Sequence, residues 1–539
     1  MLKNKIIEKL ENQISERVYP SLKDLPKPEE LKNNFKAARR ILENLFSGRR
    51  MLIVGDYDAD GIFATTILYS FLQEAGFGQL VQYLIPSRLK DGYGVSVNVI
   101  KYAIENAFDF IVTVDNGVAA VEAVNYANEH NMEIIITDHH TAPAVLPNVD
   151  IILNPRVPGE TFPFTYISGA TVAWYLVAAL KKELKLGIDI RKYLDYVAIT
   201  IISDVMPLDN LNLSLLKYGM KIIKNRERYF YELIWNDWTA PTINETSISF
   251  NLVPMINAIG RINDANIGVK LFTSTNKDDI KENFEFMKKI NEERKVMSRN
   301  NVKEADNSLH EGIEGTKDKV IIVRNHDFHE GIVGIIAGKL AERYQRPAYV
   351  FGWNEEKGIW KGSARSFANV HLYDLTSSIS ETVLGFGGHK GAVGLAVTPE
   401  NWESFDSALR DSANSIPESE FIDLNLQPIE CELNEITLDI METMNKYAPF
   451  GQGNIKPRFK TQANIEVDKE LSGGLHYKVI LWNKERTNSI IGLFFQVEKE
   501  DFLKKINEEE ISSFIFDPVY SYDLRTKNFS VEYICEFER

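Results

Sequence analysis

From Arg50 onward the chain alternates short apolar runs with acidic or glycine-rich loops and amphipathic stretches. The apolar runs are Met51–Val54, Val81–Ile85, Phe110–Val114, Ile134–Thr137 and Ile151–Leu153. Short, almost uniformly apolar runs predict strands buried on both faces. Ile62–Ala75, Val97–Glu105, Val118–Glu129 and Gly169–Glu183 carry apolar residues at helical spacing and predict the intervening helices. Strands alternating with helices predict an α/β domain built on a parallel sheet. Sheets of this kind bind ligands beyond the carboxyl ends of their strands.

The same patterning divides the rest of the chain. Residues 1–45 predict a charged helical lead-in, broken at Tyr19-Pro20 and Leu25-Pro26-Lys27-Pro28. The first α/β domain is expected over 46–275. Residues 276–310 lack proline and place Phe284, Met287 and Ile290 at helical spacing, so a long connector helix is expected within 276–315. A second, smaller α/β domain over 316–415 starts with a strand at Lys319–Val323, continues with a helix at Val333–Tyr344 and adds a strand at Ala348–Phe351. Beyond 420 the runs Arg458–Ala463, Tyr477–Trp482, Ser489–Phe495, Phe514–Phe516 and Ser530–Cys535 predict a small β-barrel reaching residue 539.

Composition changes this picture little. Across 539 residues, 44% hydrophobic and 25% charged residues are ordinary for a soluble globular protein. No apolar run is long enough to span a bilayer, and the first residues lack the apolar stretch of a signal peptide. Cys431 and Cys535 have no ligand spacing and are expected as reduced thiols in a cytoplasmic protein, Cys535 facing the core. The net charge of −15 argues against a general electrostatic grip on nucleic acid, so a nucleic-acid reading must name its local cations.

The candidate chemistry lies just after the predicted strands. In Val54-Gly55-Asp56-Tyr57-Asp58-Ala59-Asp60-Gly61, read as extended backbone, alternate acids point to one side and crowd negative charge there. Such crowding calls for a cation between the carboxylates. The pattern also opens a calcium loop, but the closing bidentate Glu and the helix–loop–helix context are missing. Asp115 in Thr113-Val114-Asp115-Asn116-Gly117 reads as an N-cap or a ligand. Asp138-His139-His140 reads as a loop or as a source of imidazole ligands, and Asp204, ending an apolar helix, as an arginine partner or a ligand. Their shared position at strand and helix ends favours a divalent transition-metal centre.

Four further elements are candidate anion binders. Gly362-Ser363-Ala364-Arg365-Ser366 offers hydroxyls and a guanidinium, and Gly385–Ala392 is a glycine-rich loop around His389 and Lys390. Arg88 and Arg261 each follow an apolar segment, where a surface salt bridge is the ordinary role.

The motifs around Asp56–Asp60, Asp115, Asp138–His140 and Asp204 resemble the four motifs of the DHH phosphoesterases, and Gly387-Gly388-His389 resembles the loop of their DHH-associated domain. Pro20–Pro26, Arg88 with Gly92-Tyr93-Gly94, Ile256–Arg261, His329–Gly334 and Pro449–Asn454 extend the likeness, over nearly the whole chain, to the bacterial branch that digests single-stranded DNA from 5′ to 3′. Met255 departs from the pattern, since many relatives carry an arginine there. The sequence ends with the predicted barrel, so the extra C-terminal domain of some longer relatives is not expected.

The resemblance implies a DHH domain, a connector helix, a DHH-associated domain and a C-terminal OB-fold. It implies two Mn²⁺ ions, with Mg²⁺ as a substitute. Asp56, Asp58 and Asp115 would hold one, and Asp60, Asp115, His139 and Asp204 the other. It makes His140, His389 and the bridging Asp115 catalytic, and assigns Arg88, Arg261, Ser363, Arg365 and His389 to substrate. Tyr477, Trp482, Phe494 and Phe495 are available for base stacking on the barrel or for its core. The implied role is DNA repair and recombination by a monomer, with a helicase and a single-strand-binding protein as partners. A short-oligonucleotide or cyclic-dinucleotide phosphodiesterase and a non-catalytic replication scaffold are the competing readings. The barrel argues against the first and the complete ligand set against the second.

Overall fold

The computed structural model describes all residues except 1, 14–18, 20, 88–93, 236–242, 311–317, 423–426, 496, 498, 509–510, 524–527 and 538–539. Arg88 and Gly92-Tyr93 therefore lie outside the described residues, as does Pro20.

The first lobe is a parallel sheet of β1 (Met51–Val54), β2 (Val81–Leu84), β3 (Phe110–Thr113), β4 (Glu133–Thr137) and β5 (Ile152–Leu153), in the order β2-β1-β3-β4-β5. Its alternating side chains feed two cores. Met51 and Ile53 join the large cluster with Phe63, Ile67 and Tyr196, whereas Leu52 and Val54 join Val99, Ile100 and Val124 on the opposite face. That two-sided burial explains why β1 lacks a polar position. With this order the chain leaves β1 toward β2 on one side and leaves β3 toward β4 on the other, so β1 and β3 flank a switch point and a crevice opens beyond their carboxyl ends.

Expected and observed helices agree except at two starts, those after β1 and before β4. The helix after β1 spans Ala59–Leu72 and therefore starts before Ile62, and a π-helical turn extends it over Gln73–Phe77. Asp58 caps it, accepting from Asp60 N and Gly61 N, and Asp60 lies in its first turn. The acids consequently do not alternate along extended backbone. Asp56 lies in the loop, Asp58 caps and Asp60 is helical, so a turn brings them together. The helix before β4 begins at Val121, with Ala120 in the cap position, which rules out Asp115 as its N-cap.

The connector helix runs from Lys277 to His310. Ile280, Phe284 and Met287 enter the first lobe's core, and Val302, Ala305 and Leu309 enter the second lobe's. Cleaving the lobes apart would expose apolar surface at both ends of this helix.

The second lobe is a mixed sheet of β6 (Ile321–Asn325), β7 (Ala348–Asn354), β8 (Ile359–Arg365), β9 (Gly385–His389) and β10 (Ala392–Val397), in the order β6-β7-β8-β10-β9. The glycine-rich segment is thus not a loop, because β9 pairs antiparallel with β10 from Gly385 through His389. The third lobe contains β11 (Ile429–Glu430), β12 (Phe459–Leu471), β13 (His476–Trp482), β14 (Ser489–Phe495), β15 (Ser512–Asp523) and β16 (Asn528–Phe537). A β12–β15 pairing closes β12-β13-β14-β16-β15 into a five-stranded barrel.

Tyr477 and Phe494 are core residues of this barrel, while Phe495 is exposed and edges against His476 at 5.2 Å. Trp482 is partly exposed, and its indole N–H donates to Glu466. Cys535 is buried and both cysteines are free. The lead-in does not form one unit. Leu2, Ile6 and Leu10 pack into the barrel's core, whereas Ala37, Ala38 and Ile41 pack into the first lobe. Leu208 N donates to Gln452 O at 2.7 Å, tying the Pro449–Asn454 segment to the chain four residues beyond Asp204.

Candidate metal centre

The centre is built at the switch point from β1, β3, β4 and two helix ends. Asp115 follows β3 with φ 62°, a left-handed conformation that turns its carboxylate into the crevice. Buried Asn116 stabilises that turn, donating through Nδ2 to the carbonyls of Val54 at 3.0 Å and Val114 at 2.9 Å while its Oδ1 accepts from Val95 N. Gly169, first residue of helix Gly169–Leu184, leaves the space Asp115 needs: a Cβ there would lie 2.4 Å from Asp115 Oδ1.

The same helix end receives Asp60. Gly169 N donates to its Oδ2 at 2.6 Å and Ala170 N to its Oδ1 at 2.8 Å. Unsatisfied N–H groups and the positive end of the helix dipole favour a carboxylate there. Burial nevertheless dominates and, with Asp58 close by, pushes the Asp60 pKa up to about 7 despite those two bonds. Burial, followed by neighbouring acids, also drives Asp115 and Asp204 well above the ordinary carboxylate range.

Three of these acids converge on one imidazole. His139 Nε2 lies 3.0 Å from Asp115 Oδ1 and 3.6 Å from both Asp60 Oδ2 and Asp204 Oδ2. Burial and then His140 depress the His139 pKa to about 3, so the ring is neutral. It also hydrogen-bonds the Ile167 backbone. Because Nε2 faces the acids, Nδ1 is the nitrogen left to donate to that carbonyl, and Nε2 carries a lone pair. A lone pair aimed at three carboxylates fits a cation between them. Asp115 Oδ1, buried without a hydrogen bond, fits the same ion. On the other side, carboxylate oxygens of Asp56, Asp58 and Asp115 lie within 4.8 Å of one another, as do the ligand atoms of Asp60, His139 and Asp204. Asp115 belongs to both neighbourhoods, the second through His139.

Asp138 holds the histidine segment instead of joining the carboxylate cluster. Its oxygens accept from the backbone N–H groups of Val118, His139 and His140, and Oδ1 meets His140 Nδ1 at 2.8 Å. Burial alone would raise its pKa, but these bonds and the two imidazoles pull it down to about 2. Burial likewise opposes charge on His140, and the Asp138 bond with the surrounding acids overcomes it, lifting His140 to about 9. Its side chain is still 44% exposed, toward the crevice.

The second lobe faces this crevice. His389 is exposed by surface area, yet desolvation is the leading cause lowering its pKa, followed by Arg365, His140 and Arg156. It is therefore electrostatically coupled across the cleft. Arg365 Nη1 donates to Ser363 Oγ and to the Ala364 carbonyl, both at 2.8 Å, next to Gly334. Arg261 Nη1 donates to Gly331 O at 3.3 Å, and a Cβ on Gly260 would collide with Tyr57 O, so helix Val253–Ile262 links the acidic loop to the second lobe. Met255 is buried in the first core and cannot serve as a phosphate contact.

Several contributors were not apparent from residue type. Asn257 Oδ1 accepts from Ala59 N at 2.8 Å and so orients the acidic turn. Asn154 Nδ2 donates to His140 O, its Oδ1 accepts from Arg156 N, and the Arg156 guanidinium lies over Tyr166 with 5.0 Å to the ring centroid. Position after β5 is the signal that could have marked Asn154 and Arg156.

Comparison with known proteins follows the same three-lobe division. Residues 50–201 match the DHH family N-terminal domain, 317–415 the DHHA1 domain and 429–525 the RecJ OB domain. Over 474 residues the chain is 33% identical to the single-stranded-DNA-specific exonuclease RecJ of Bacillus subtilis, covering 87% of this chain and 59% of that one. It is 30% identical over 471 residues to RecJ of Dickeya dadantii, covering 83% of this chain and 80% of that relative. The fold is similar to the crystal structure of RecJ with Mn²⁺ from Thermus thermophilus, with a TM-score of 0.77 at 23% identity over 96% of this chain and 73% of that one. No helix among the described residues is long and apolar enough to cross a membrane.

Proposed function

The chain belongs to the RecJ family of single-stranded-DNA-specific exonucleases, and from that premise we propose that it hydrolyses single-stranded DNA stepwise from the 5′ end with two divalent ions. The observation carrying this reading is the convergence of Asp60, Asp115 and Asp204 on the neutral Nε2 of His139. Asp56, Asp58 and Asp115 would hold one ion, and Asp60, Asp115, His139 and Asp204 the other. Oxygen-rich sites with one imidazole suit Mn²⁺, with Mg²⁺ a substitute. Bound there, the ions supply Lewis acidity to the phosphoryl oxygens and make water nucleophilic at neutral pH.

The protein's own groups orient and neutralise. His140, held as imidazolium by Asp138, donates toward a phosphoryl oxygen as charge builds there. His389 closes on the same phosphate from β9. Ser363 and Arg365 on β8, with Arg261 and Arg88, bind the terminal 5′ phosphate, and anchoring that end sets the direction of digestion. Exposed Phe495 and partly exposed Trp482 give the barrel aromatic faces for a single strand.

The proposed domains are 46–275, 276–315, 316–415 and 420–539, with residues 1–45 as a lead-in shared between the barrel and the first lobe. The protein acts as a monomer in the cytoplasm, in DNA repair and recombination, alongside a helicase and a single-strand-binding protein. The barrel favours a long polymer over dinucleotides.

The deciding experiment is digestion of strands labelled at either end, with Mn²⁺ and then Mg²⁺. Early release of the 5′ label alone is expected, lost in His139→Ala. Release from the 3′ end, or unchanged turnover in that variant, refutes the proposal.

A further inference from the structure

The connector helix carries a polar stripe that the metal centre does not use. Arg294, Ser298 and Asn301 are four and three residues apart and share one helix face. The stripe runs on to Ala305, which packs in the second lobe's core with Ile336 and Leu340. Ser298 is 1% exposed and Asn301 9%. One Arg294 nitrogen donates to Asn291 Oδ1 at 2.6 Å. Its Nε, the Ser298 hydroxyl and the Asn301 amide nitrogen are buried and have no hydrogen-bond partner among the described residues. Buried donors without an acceptor retain their full desolvation cost.

Lys339, on helix Val333–Tyr344, completes the cluster. It is half-buried and, among the described residues, makes no ion pair or hydrogen bond. Burial, then Arg294, Arg343 and Arg299, all disfavour its charge, with Glu342 acting the other way. The acid beside this group, Asp306, is already engaged by Arg343 and the Tyr344 hydroxyl. Crowded cations beside buried donors match a tetrahedral oxyanion, which offers several acceptor oxygens and negative charge together.

We infer that Arg294, Ser298, Asn301 and Lys339 form an oxyanion site between the connector helix and the second lobe, occupied by a backbone phosphate of the bound strand. The identity of the occupant rests on the function proposed above; the site itself does not. Its position supports the assignment. Ile262, next to Arg261, packs on the same cluster as Met297 and Ile335, and Gly334 on the Lys339 helix touches Arg365 and Ser363. A strand whose terminal phosphate reaches Ser363 and Arg365 has further phosphates to neutralise along this seam.

The full chain, Lys339→Gln and Lys339→Arg test it. In metal-free buffer, inorganic phosphate should raise the melting temperature of the wild type and Lys339→Arg more than that of Lys339→Gln. Binding of a long 5′-phosphorylated strand across a salt series should show a log–log slope shallower by about 0.7 in Lys339→Gln, the effect of one lost phosphate contact on a single strand. Equal phosphate responses in all three proteins overturn the site. A lost phosphate response with an unchanged slope overturns the strand as occupant and leaves a site for free anions. A lost response in a protein whose wild type binds no single strand supports the site and refutes the function. If Lys339→Gln fails to fold, Ser298→Ala, which removes one donor without altering charge, is measured by the same two assays. A smaller phosphate response and weaker strand binding at an unchanged slope are then expected. A wild-type phosphate response overturns the site, and a reduced phosphate response with unweakened strand binding overturns the strand as occupant.

Discussion

His139 Nε2 and Asp115 Oδ1 face each other at 3.0 Å, although the imidazole is neutral and the tautomer leaves Nε2 without a proton to donate. Two acceptors at that distance repel unless a proton or a cation lies between them; the raised Asp115 pKa supplies the proton in the metal-free protein, and a divalent ion can take its place. Asp115 is the pivot because its left-handed backbone places one carboxylate beside Asp56 and Asp58 on one side and beside His139 and His140 on the other.

Replacing Asp115 by Asn should remove Mn²⁺ binding and stabilise the metal-free protein, since it deletes a buried charge set among Asp60, Asp58, Asp56 and Asp204. At an ion concentration about 100 times the dissociation constant, the wild type should gain roughly 2.7 kcal/mol and the variant almost nothing. Thermal melts with and without Mn²⁺ measure both effects. A full Mn²⁺-induced shift in the variant would remove Asp115 from the ligand set.

The metal-free protein should lose stability as pH rises. Asp60 titrates near 7 when folded against an ordinary 3.8, and Asp115 and Asp204 are displaced in the same direction. The folded state therefore holds more protons than the unfolded chain between about pH 4 and 7, and stability falls across that window. Each extra proton held costs roughly 1.4 kcal/mol for every pH step of one through the window, so the loss should reach a few kcal/mol. Mn²⁺ should cancel it, because binding requires the deprotonated forms. Urea titrations at pH 5 and 8 test this; equal midpoints without metal would contradict it.

The clustering of these residues was legible in the sequence because Asp56–Asp60, Asp115 and Asp138–His140 each follow an apolar strand and Asp204 ends an apolar helix. The geometry was less legible. Asp56, Asp58 and Asp60 read as alternating extended residues, but the helix begins at Ala59, and spacing alone cannot say whether a short acidic stretch continues a strand or caps a helix. The Gly385–His389 segment read as a loop because glycines weaken strand propensity, whereas pairing with Ala392–Ala396 overrides it. Barrel closure and the docking of Leu2, Ile6 and Leu10 into its core depend on contacts across the full chain length, which no local pattern encodes.

Asp138→Asn should lower the His140 pKa from about 9 to below the ordinary 6.5. The carboxylate's hydrogen bond and charge are the main forces opposing desolvation of this ring. Ring-proton NMR of the metal-free protein across pH gives the value directly. A titration still near 9 in the variant would mean that Asp204 and Asp56 hold the imidazolium without Asp138.

Arg365→Ala should weaken binding of 5′-phosphorylated ends more than 5′-hydroxyl ends. A charge-assisted hydrogen bond contributes about 1.5–3 kcal/mol, so the selective loss should be roughly ten- to a hundredfold. Competition between the two end types on one strand sequence reads the ratio. Equal losses on both would place Arg365 in the support of β8 through Ser363 rather than on the terminal phosphate.

Gly169→Ala tests whether the crevice is shaped by close packing as well as by charge. Alanine has the higher helix propensity by about 1 kcal/mol, and on that ground alone the substitution at the start of helix Gly169–Leu184 would stabilise the fold. The added methyl, however, would lie 2.4 Å from Asp115 Oδ1 and 2.6 Å from its Cβ. Overpacking of that kind costs about 1–3 kcal/mol and is relieved by moving Asp115, because the helix end is also fixed by its bonds to Asp60. The variant should therefore fold with a melting temperature close to the wild type's without metal, yet bind Mn²⁺ at least tenfold more weakly by calorimetry. Unchanged affinity would show that Asp115 has another way to reach the ions and that Gly169 serves the helix alone.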